Sequence, residues 1–393
     1  MRNRPIYQWM ILLSMWVGGI NSAVLAQQPS NKASKVDVKF ADNFFNIIQE
    51  ENKTLQKFVG HVELKQDSIY MYCDSAIIED NLFVTAMGNV IIQQGDTTSA
   101  FADSLKYRGD TKQAALFGNV SLVNGSQKLF TNQLNYDLST KTATYFSGAT
   151  MTNNTTQLSS KRGYYYVKND EVYFRDSVVV VDPQFNLRSD TLKFNTKSRT
   201  VFFLGPTLIK TDTSRIYCEA GYYNTQTEEA EFRKNAQYQR GTQEAVADTM
   251  YYNGKKKEYV LRGNARFTDE NQNATADRIR YEQNKDKYYL TGNANYRDST
   301  RNIVSEEIIY DRKNELYSTK GRSRISDPPQ ILEADAVAYT QINGTGVASG
   351  NVVWQDTSAN LTIVAEQANY NRATNYLKAT GGKNGRPLLI TKA

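Results

Sequence analysis

Cysteine and histidine are almost missing from this chain of 393 residues, which contains two cysteines and one histidine. Structural zinc sites take four Cys or His ligands close together, which Cys73, Cys218 and His61 are too few and too dispersed to supply. The single histidine also argues against Ser-His and Cys-His nucleophiles. We therefore predict no metal site, no cofactor and no catalytic residue.

Proline and helical periodicity are also scarce. Only seven prolines occur, while 26 tyrosines, with many valines and threonines, fit strand propensity. The stretch from Phe44 to Leu55 is the one candidate for a short amphipathic helix, with an irregular first strand repeat as the alternative. The composition predicts an all-β protein.

Long apolar runs are missing after the N-terminus. Residues 1–26 have the form of an export signal, with Arg2 and Arg4 before an apolar stretch and small residues before Gln27. The apolar stretch is shorter than the roughly 20 residues of a membrane-spanning helix. We therefore predict export out of the cytoplasm, with a retained membrane anchor as the alternative.

Charge of one sign is not concentrated. The formal net charge is +6, and two of the positive charges leave with the signal. This mild excess permits contact with anionic groups, but a nucleic-acid binder carries a dense basic face. We predict no nucleic-acid partner.

The strongest positive signal is a 29-residue repeat. Ten positions, most of them acidic, recur at this spacing: Asp74, Asp103, Asn132, Lys161, Asp190, Glu219, Asp248, Asp277, Glu306 and Asp335. An apolar or aromatic residue follows each of them by four positions: Ile78, Tyr107, Tyr136, Tyr165, Phe194, Tyr223, Tyr252, Tyr281, Tyr310 and Tyr339. Such regularity predicts stacked modules that bury their apolar faces against each other.

Each repeat contains two strand signals, shown by residues 89–93 and 99–107. In the second signal Leu105 and Tyr107 share one face, and Lys106 lies on the other. This alternation predicts a sheet that encloses an apolar interior. An acid that recurs once in each repeat suits hydrogen bonding to a turn. His61 is predicted to be a turn residue, since it stands where other repeats have asparagine.

The two cysteines are predicted to stay unpaired. Cys73 and Cys218 are five periods apart in the same phase. Strands stack about 4.8 Å apart, which separates the two thiols by at least ~24 Å. A disulfide needs Cα atoms within about 7 Å.

The repeat resembles the OstA (organic solvent tolerance) family. The resemblance is carried by units such as residues 102–107, 247–252 and 276–281, in which Ala-Asp begins the unit and Tyr ends it, with Gly-Asn-Val or Gly-Asn-Ala turns between units. It implies a V-shaped β-jelly roll of bent antiparallel strands with an apolar interior. It also implies the role of a lipopolysaccharide-transport bridge between two membranes. The exported chain is therefore predicted to reside in the periplasm, with association with the outer membrane left open. With about eleven repeats, the chain is similar to an enlarged bridge without the translocon barrel.

The predicted organisation is a signal at 1–26, a linker at 27–40, a β-repeat domain at 41–381 and a short basic tail at 382–393. The predicted partners are lipopolysaccharide or a related glycolipid, and other transport proteins joined by end-to-end strand pairing. A head-to-tail homo-oligomer is a further expectation.

The predicted function is transport of lipopolysaccharide toward the outer membrane along an apolar groove. Lys106, Lys193 and Arg280 are expected near the phosphates of the headgroup. A structural or adhesive β-solenoid and a carbohydrate-active enzyme remain as alternatives. The groove candidates are Leu105, Tyr107, Leu134, Tyr136, Leu192, Phe194, Met250, Tyr252, Ile279, Tyr281, Ile308, Tyr310 and Val337.

Overall fold

The structure is a computed structural model that describes residues 34–48, 54–95, 98–125, 127–153, 156–383 and 385–391. The predicted export signal lies outside these residues. Within the described part of the chain, no helix is long and apolar enough to cross a membrane.

The described chain forms one sheet of thirty strands, and one short 3-10 turn at Val167–Asn169 is the other regular element. All strand pairs are antiparallel, which confirms the predicted all-β repeat architecture. The strands are β1 Asp37–Phe40, β2 Asn43–Ile48, β3 Thr54–Gln66, β4 Ile69–Glu79, β5 Phe83–Gln94, β6 Thr98–Arg108, β7 Gln113–Asn124, β8 Gln127–Asp137, β9 Thr142–Tyr145, β10 Ala149–Asn153, β11 Thr156–Ser160, β12 Arg162–Tyr166, β13 Glu171–Val181, β14 Asn186–Asn195, β15 Thr200–Phe203, β16 Thr207–Lys210, β17 Arg215–Cys218, β18 Ala220–Asn224, β19 Glu229–Arg240, β20 Gln243–Asn253, β21 Glu258–Asp269, β22 Gln272–Glu282, β23 Lys287–Arg297, β24 Asn302–Asp311, β25 Leu316–Asp327, β26 Gln330–Thr340, β27 Thr345–Asp356, β28 Leu361–Asn371, β29 Tyr376–Thr380 and β30 Leu388–Thr391.

Each repeat of the sequence corresponds to two successive strands. From β3 to β8 and from β19 to β28, every strand pairs with the next one along the chain. Between these regions several strands are divided in two, so that β9 and β10 both pair with β8. Likewise β15 and β16 both pair with β14.

A bulge bends every second long strand, most often at a Gly-Asn dipeptide, and we call this bend the corner. In β21, Gly263 and Asn264 together lie opposite the single residue Asp277 of β22. Both bulge residues have left-handed backbones, with φ of 72° and 48°. Glycine and asparagine are the residues that adopt this conformation most readily.

The repeated acid stabilises the corner. Asn264 Nδ2 donates a hydrogen bond to Asp248 Oδ2 of the preceding strand over 3.1 Å. A Cβ on Gly263 would lie 2.2 Å from the same oxygen, so only glycine fits there. The same amide–carboxylate bond occurs in four other repeats: Asn89–Asp74, Asn119–Asp103, Asn293–Asp277 and Asn351–Asp335. The predicted structural role of the acid series is confirmed.

His61 occupies the asparagine position of the first corner. Its φ is 45°, and its Nδ1 lies 2.8 Å from Asp42 Oδ2. The hydrogen bond to Asp42 raises the pKa of the imidazole above its ordinary value. The prediction of a turn residue in place of asparagine is confirmed.

The corner divides each long strand into two arms that face each other. The first arm carries the Tyr107 series and the second arm carries residues such as Ile92 and Leu122. Aromatic contacts join the arms: the ring centroids of Tyr296 and Tyr317 are 5.6 Å apart. Between the arms lies an apolar core that runs from Val36 to Tyr317.

The ends of the chain differ from the sequence predictions. A helix within residues 44–55 is wrong, because β2 and the start of β3 are strands that pair with each other. The sheet also extends past the predicted domain limits, since β1 lies in the predicted linker and β30 in the predicted tail. β1 and β30 pair with the second arms of β3 and β28 and so satisfy their backbone groups.

Both cysteines are buried and free, as predicted. They lie next to the corner acids, in a position where other repeats place small residues. Burial raises the pKa of the Cys73 thiol to about 11 and that of Cys218 to about 12, which keeps both protonated and unreactive at neutral pH.

A pair of glycine variants tests the corner. Gly263→Ala places Cβ against Asp248, and we expect it to lower the free energy of unfolding by about 2–4 kcal/mol. Gly241, in the hairpin turn before β20, has a φ of 57°, and a Cβ added there would meet no atom within 4 Å. Gly241→Ala is expected to cost about 1 kcal/mol. Urea denaturation measures both, and equal losses would contradict the proposed role of the carboxylate.

Candidate functional site

The space between the two arms is the candidate site, since it is the largest continuous apolar region of the fold. Two rows of side chains from the first arm line it, and two rows from the second arm, represented by Val90 and Ile92, face them. Strand alternation fixes this arrangement, because residues two apart share a face. Leu105 and Tyr107 are therefore both interior, with exposures of 0% and 1%.

The predicted groove residues all belong to these interior rows. Nine of them are buried: Leu105, Tyr107, Leu134, Tyr136, Leu192, Met250, Ile279, Ile308 and Val337. Four aromatic residues keep partial exposure: Phe194, Tyr252, Tyr281 and Tyr310. The structure thus brings the predicted residues together, and it packs most of them against one another as core.

Seven successive strands, β20 to β26, each contribute a tyrosine to one row of the first arm, which we call the tyrosine row. Neighbouring members lie directly opposite each other in the ladder: Tyr252, Tyr259, Tyr281, Tyr288, Tyr310, Tyr317 and Tyr339. The rings of Tyr310 and Tyr317 stack at 4.2 Å between centroids. The sequence prediction missed Tyr259, Tyr288 and Tyr317, although they recur with the period of the repeat.

Earlier in the chain the same row alternates large with small residues. Tyr107 pairs with Ala114, which pairs with Tyr136 on the other side. Tyr165 is flanked in the same way by Ala143 and Val172. Each ring fills the space left by its small neighbours, which leaves Tyr107, Tyr136 and Tyr165 at most 4% exposed.

Side-chain amides close the open side of the two arms in this earlier part. Gln66, at the end of the second arm of β3, donates to the carbonyl of Gly109 over 3.0 Å and accepts a hydrogen bond from Tyr107. Gln94 Nε2 donates to the carbonyl of Leu138 over 2.9 Å. Asn124 Nδ2 donates to the hydroxyl of Tyr165 over 2.6 Å. We call the side chains of Gln66, Gln94 and Asn124 the amide latches, because each one joins the second arm to the first.

Arg301 occupies the corresponding place in the later part of the chain. Its guanidinium lies 5.5 Å from the ring centroid of Tyr317 and 5.3 Å from that of Tyr339. Arg301 is 8% exposed, and its Nη1 has no hydrogen-bond partner among the described residues. Its Nη2 is 3.5 Å from Asp327. A cation over tyrosine faces therefore replaces the amide latches here.

Burial suppresses ionisation of the interior tyrosines. It raises the pKa of Tyr136 and of Tyr259 to about 12, and it raises the pKa of Tyr317 still further. The Tyr136 hydroxyl is buried without a partner in the described part of the chain. These tyrosines are thus uncharged at neutral pH. Charged groups contact the tyrosine row at its rim, where Arg301 lies over Tyr317 and Asp286 accepts a hydrogen bond from Tyr281.

The basic residues expected near a headgroup do not line the space between the arms, and their contact with a headgroup stays a prediction. Lys106, Lys193 and Arg280 alternate with interior residues and therefore lie on the outer face of the first arm. Lys193 pairs with Glu171 at 3.1 Å, and Arg280 pairs with Glu282 at 2.7 Å.

Two family models match this two-armed β-repeat. A model of OstA-like proteins matches residues 33–190. A model described as LptA/(LptD N-terminal domain) LPS transport protein matches residues 157–275 and 268–316. The two models together match residues 33–316, which confirms the resemblance seen in the repeat.

The solved structures found by comparison are similar at low levels. LptH, the LptA-homologous periplasmic component of the lipopolysaccharide transport device from Pseudomonas aeruginosa, is 19% identical, with 26% of this chain and 79% of that chain covered and a TM-score of 0.25. The extracellular domain of a one-component system from B. thetaiotaomicron is 8% identical, with coverages of 91% and 78% and a TM-score of 0.11. The search of curated proteins gives no match.

Two tyrosine variants test the closed part of the interior. Tyr136→Phe removes a buried hydroxyl without a partner, so we expect unfolding stability to stay equal or rise by about 1 kcal/mol. Tyr107→Phe removes the bond to Gln66 and leaves a buried amide oxygen unpaired, so we expect a loss of about 1–3 kcal/mol. Chemical denaturation compares the two, and a larger loss in Tyr136→Phe would refute this assignment of hydrogen bonds.

Proposed function

We propose that this chain is a periplasmic protein of lipopolysaccharide transport, which holds acyl chains of its cargo between the two arms. The observation that carries the proposal is the unbroken apolar interior of an OstA-like repeat. The family model whose description names LPS transport matches the region that contains much of the tyrosine row. The predicted export signal supports the location, and no catalytic step is part of the proposal.

The free energies of the interactions involved favour the binding of acyl chains between the arms. A buried methylene contributes about 0.8 kcal/mol, so about twelve methylenes contribute ~10 kcal/mol. One amide latch contributes about 0.5–1.5 kcal/mol. An acyl chain that inserts between the arms therefore gains more than the latches beside it lose. Core contacts between the arms are exchanged for contacts with the lipid.

The later part of the array is the better entry region. There the interior residues Tyr252, Tyr281 and Tyr310 keep partial exposure, whereas Tyr107 and Tyr136 are sealed. The tyrosine hydroxyl groups also make the interior of this later part less apolar, which suits the boundary between acyl chains and a polar headgroup. We infer that cargo first contacts the tyrosine row.

The sealed earlier part favours a second candidate function. A β-solenoid that serves only as a structural or adhesive element of the envelope needs no access to its interior. In that case Leu105, Leu134 and Leu192 are core residues and nothing else. A crosslinking experiment separates the two functions.

The test places a photoreactive amino acid at Tyr281 or at the adjacent Arg280 in living cells. Tyr281 faces the interior and Arg280 the outer surface, so the pair differs only in the face that is sampled. We expect lipopolysaccharide to be captured at position 281, at a yield at least tenfold above that at position 280, as measured on immunoblots. Equal capture at both positions, or capture of proteins alone, would favour the structural solenoid.

The two ends of the sheet are proposed to bind neighbouring molecules. The outer edges of β1 and β2, and those of β29 and β30, pair with no described strand. Apolar side chains lie exposed at both ends: Phe40, Phe44 and Phe45 at one, and Leu388, Leu389 and Ile390 at the other. Unpaired edges with apolar side chains favour strand addition. We propose that other transport proteins or further copies of this chain bind there.

Charged edge residues test this association. The double variant Leu388→Lys and Ile390→Lys is expected to raise the concentration for half-association at least tenfold, because lysine on an edge strand opposes pairing. Val347→Lys, at an exposed site in the central strand β27, is the matched control and is expected to have no effect. Analytical ultracentrifugation measures both. A wild-type chain that stays monomeric at high concentration would contradict end-to-end pairing.

A further inference from the structure

Two corners in the middle of the array are wider than the others, and one of them lacks a carboxylate. Tyr145 pairs with Gly163 and Ala149 pairs with Ser160, so three residues, 146–148, occupy a bend that contains two at the regular corners. Residues 204–206 form the other wide corner, where Asp190 lies against Gly205. The repeat position that holds the corner acid is Asn132 at the first of these corners, and the next one is Lys161. Two successive corners thus lack their own carboxylate.

The place of the missing carboxylate is open. A Cβ on Gly88, Gly118 or Gly263 would lie 2.2–2.3 Å from an aspartate oxygen. A Cβ on Gly148, whose φ is 84°, would have the carbonyl oxygen of Ser160 at 3.8 Å as its one neighbour within 4 Å. The space that an aspartate fills at the regular corners is therefore free at Gly148.

A cleft of about 630 Å³ opens at this corner, and we call it the corner cleft. Its lining includes Asn119, Phe130, Asn132, Ser159, Lys161 and Ser177. Hydroxyl and amide groups lie beside apolar surface in this lining, and Phe130 is 43% exposed. Small polar groups beside one aromatic face are typical of sites for polar ligands with an apolar side.

One cation that lines the corner cleft has no close partner for its side chain. The neighbouring Arg162 forms an ion pair with Asp176 and thereby lowers the pKa of that carboxyl, with smaller contributions from Arg175 and Lys161. Asp103 accepts the hydrogen bond of Asn119. The ammonium group of Lys161 forms no hydrogen bond or ion pair with a described residue. An incoming anion would meet this free ammonium group.

We propose that the corner cleft binds the carboxylate of an acidic sugar. The carboxylate takes the position that an aspartate side chain has at the regular corners, and Lys161 pairs with it. Asn132 and Ser159 bind the sugar hydroxyls, and the ring of Phe130 packs against the carbon face of the sugar. The site lies at the corner and not between the arms, so it is independent of lipid cargo.

Calorimetric titration of the purified protein with D-galacturonate tests this inference. We expect saturable binding that weakens at least tenfold in Lys161→Ala and is restored in Lys161→Arg. Asn132→Asp supplies the missing carboxylate from the chain itself, so we expect it to abolish binding. Lys197→Ala removes another exposed lysine, in the turn between β14 and β15, and is expected to leave the affinity unchanged.

Two comparison ligands define the specificity. D-galactose lacks the carboxylate and inorganic phosphate lacks the sugar, and we expect each to bind at least tenfold more weakly than D-galacturonate. Equal binding of either one would overturn the assignment to an acidic sugar. Absence of saturable binding by D-galacturonate, or an equal loss in Lys197→Ala and Lys161→Ala, would overturn the site. Circular dichroism spectra of the variants establish that each is folded.

Discussion

The left-handed bulge in the long strands, which a bond between aspartate and asparagine stabilises in five repeats, is the constraint on which the two-armed sheet depends. An L-residue pays about 1–2 kcal/mol for a left-handed backbone, and asparagine tolerates it better than most residues. The hydrogen bond to Asp248 offsets this cost for Asn264, while Gly263 makes room for the carboxylate. Without a bend in every second strand, the apolar rows would face water on an open sheet.

Closure of the interior depends on the sizes of neighbouring side chains in the same row. Where tyrosine alternates with alanine or valine, as around Tyr136, the arms pack tightly and amide latches join their free ends. Where tyrosine follows tyrosine, from Tyr252 to Tyr339, neighbouring rings contact each other as far as Tyr317, and all members of the row except Tyr317 remain partly exposed. One fold thus contains a sealed section and a more accessible section, and their difference lies in three substitutions of a small residue by tyrosine.

Much of the fold could be predicted from the sequence, because every period of the repeat forms the same strand pair and the same corner. The acid series, the interior rows and the unpaired cysteines followed from that period. The tyrosines at 259, 288 and 317 recur just as regularly. The prediction did not include them, because it rested on the other aromatic position of each repeat. The outer position of Lys193 and Arg280 was also implied by strand alternation.

Other features could not be read from one repeat. The contact of Gln66 with Tyr107 joins strands three places apart, and it depends on the twist between them and on how closely the arms approach. Phe44, Ile47 and Leu55 have a spacing that fits a helix as well as a strand, and pairing with β3 decides between the two. The widened corner at Gly148 arises from one extra residue, and its consequence appears only once the neighbouring strands are in place.

The corner also governs how such a chain can change in length. Each acid reaches only its adjacent bulge, so gain or loss of one whole repeat leaves all remaining corners intact. Loss of a single residue has a different effect, because it moves the apolar side chains of that strand to the outer face. The inward and outward alternation is restored only at the next bulge. Duplication or deletion of whole repeats therefore changes the length of the sheet in steps of two strands.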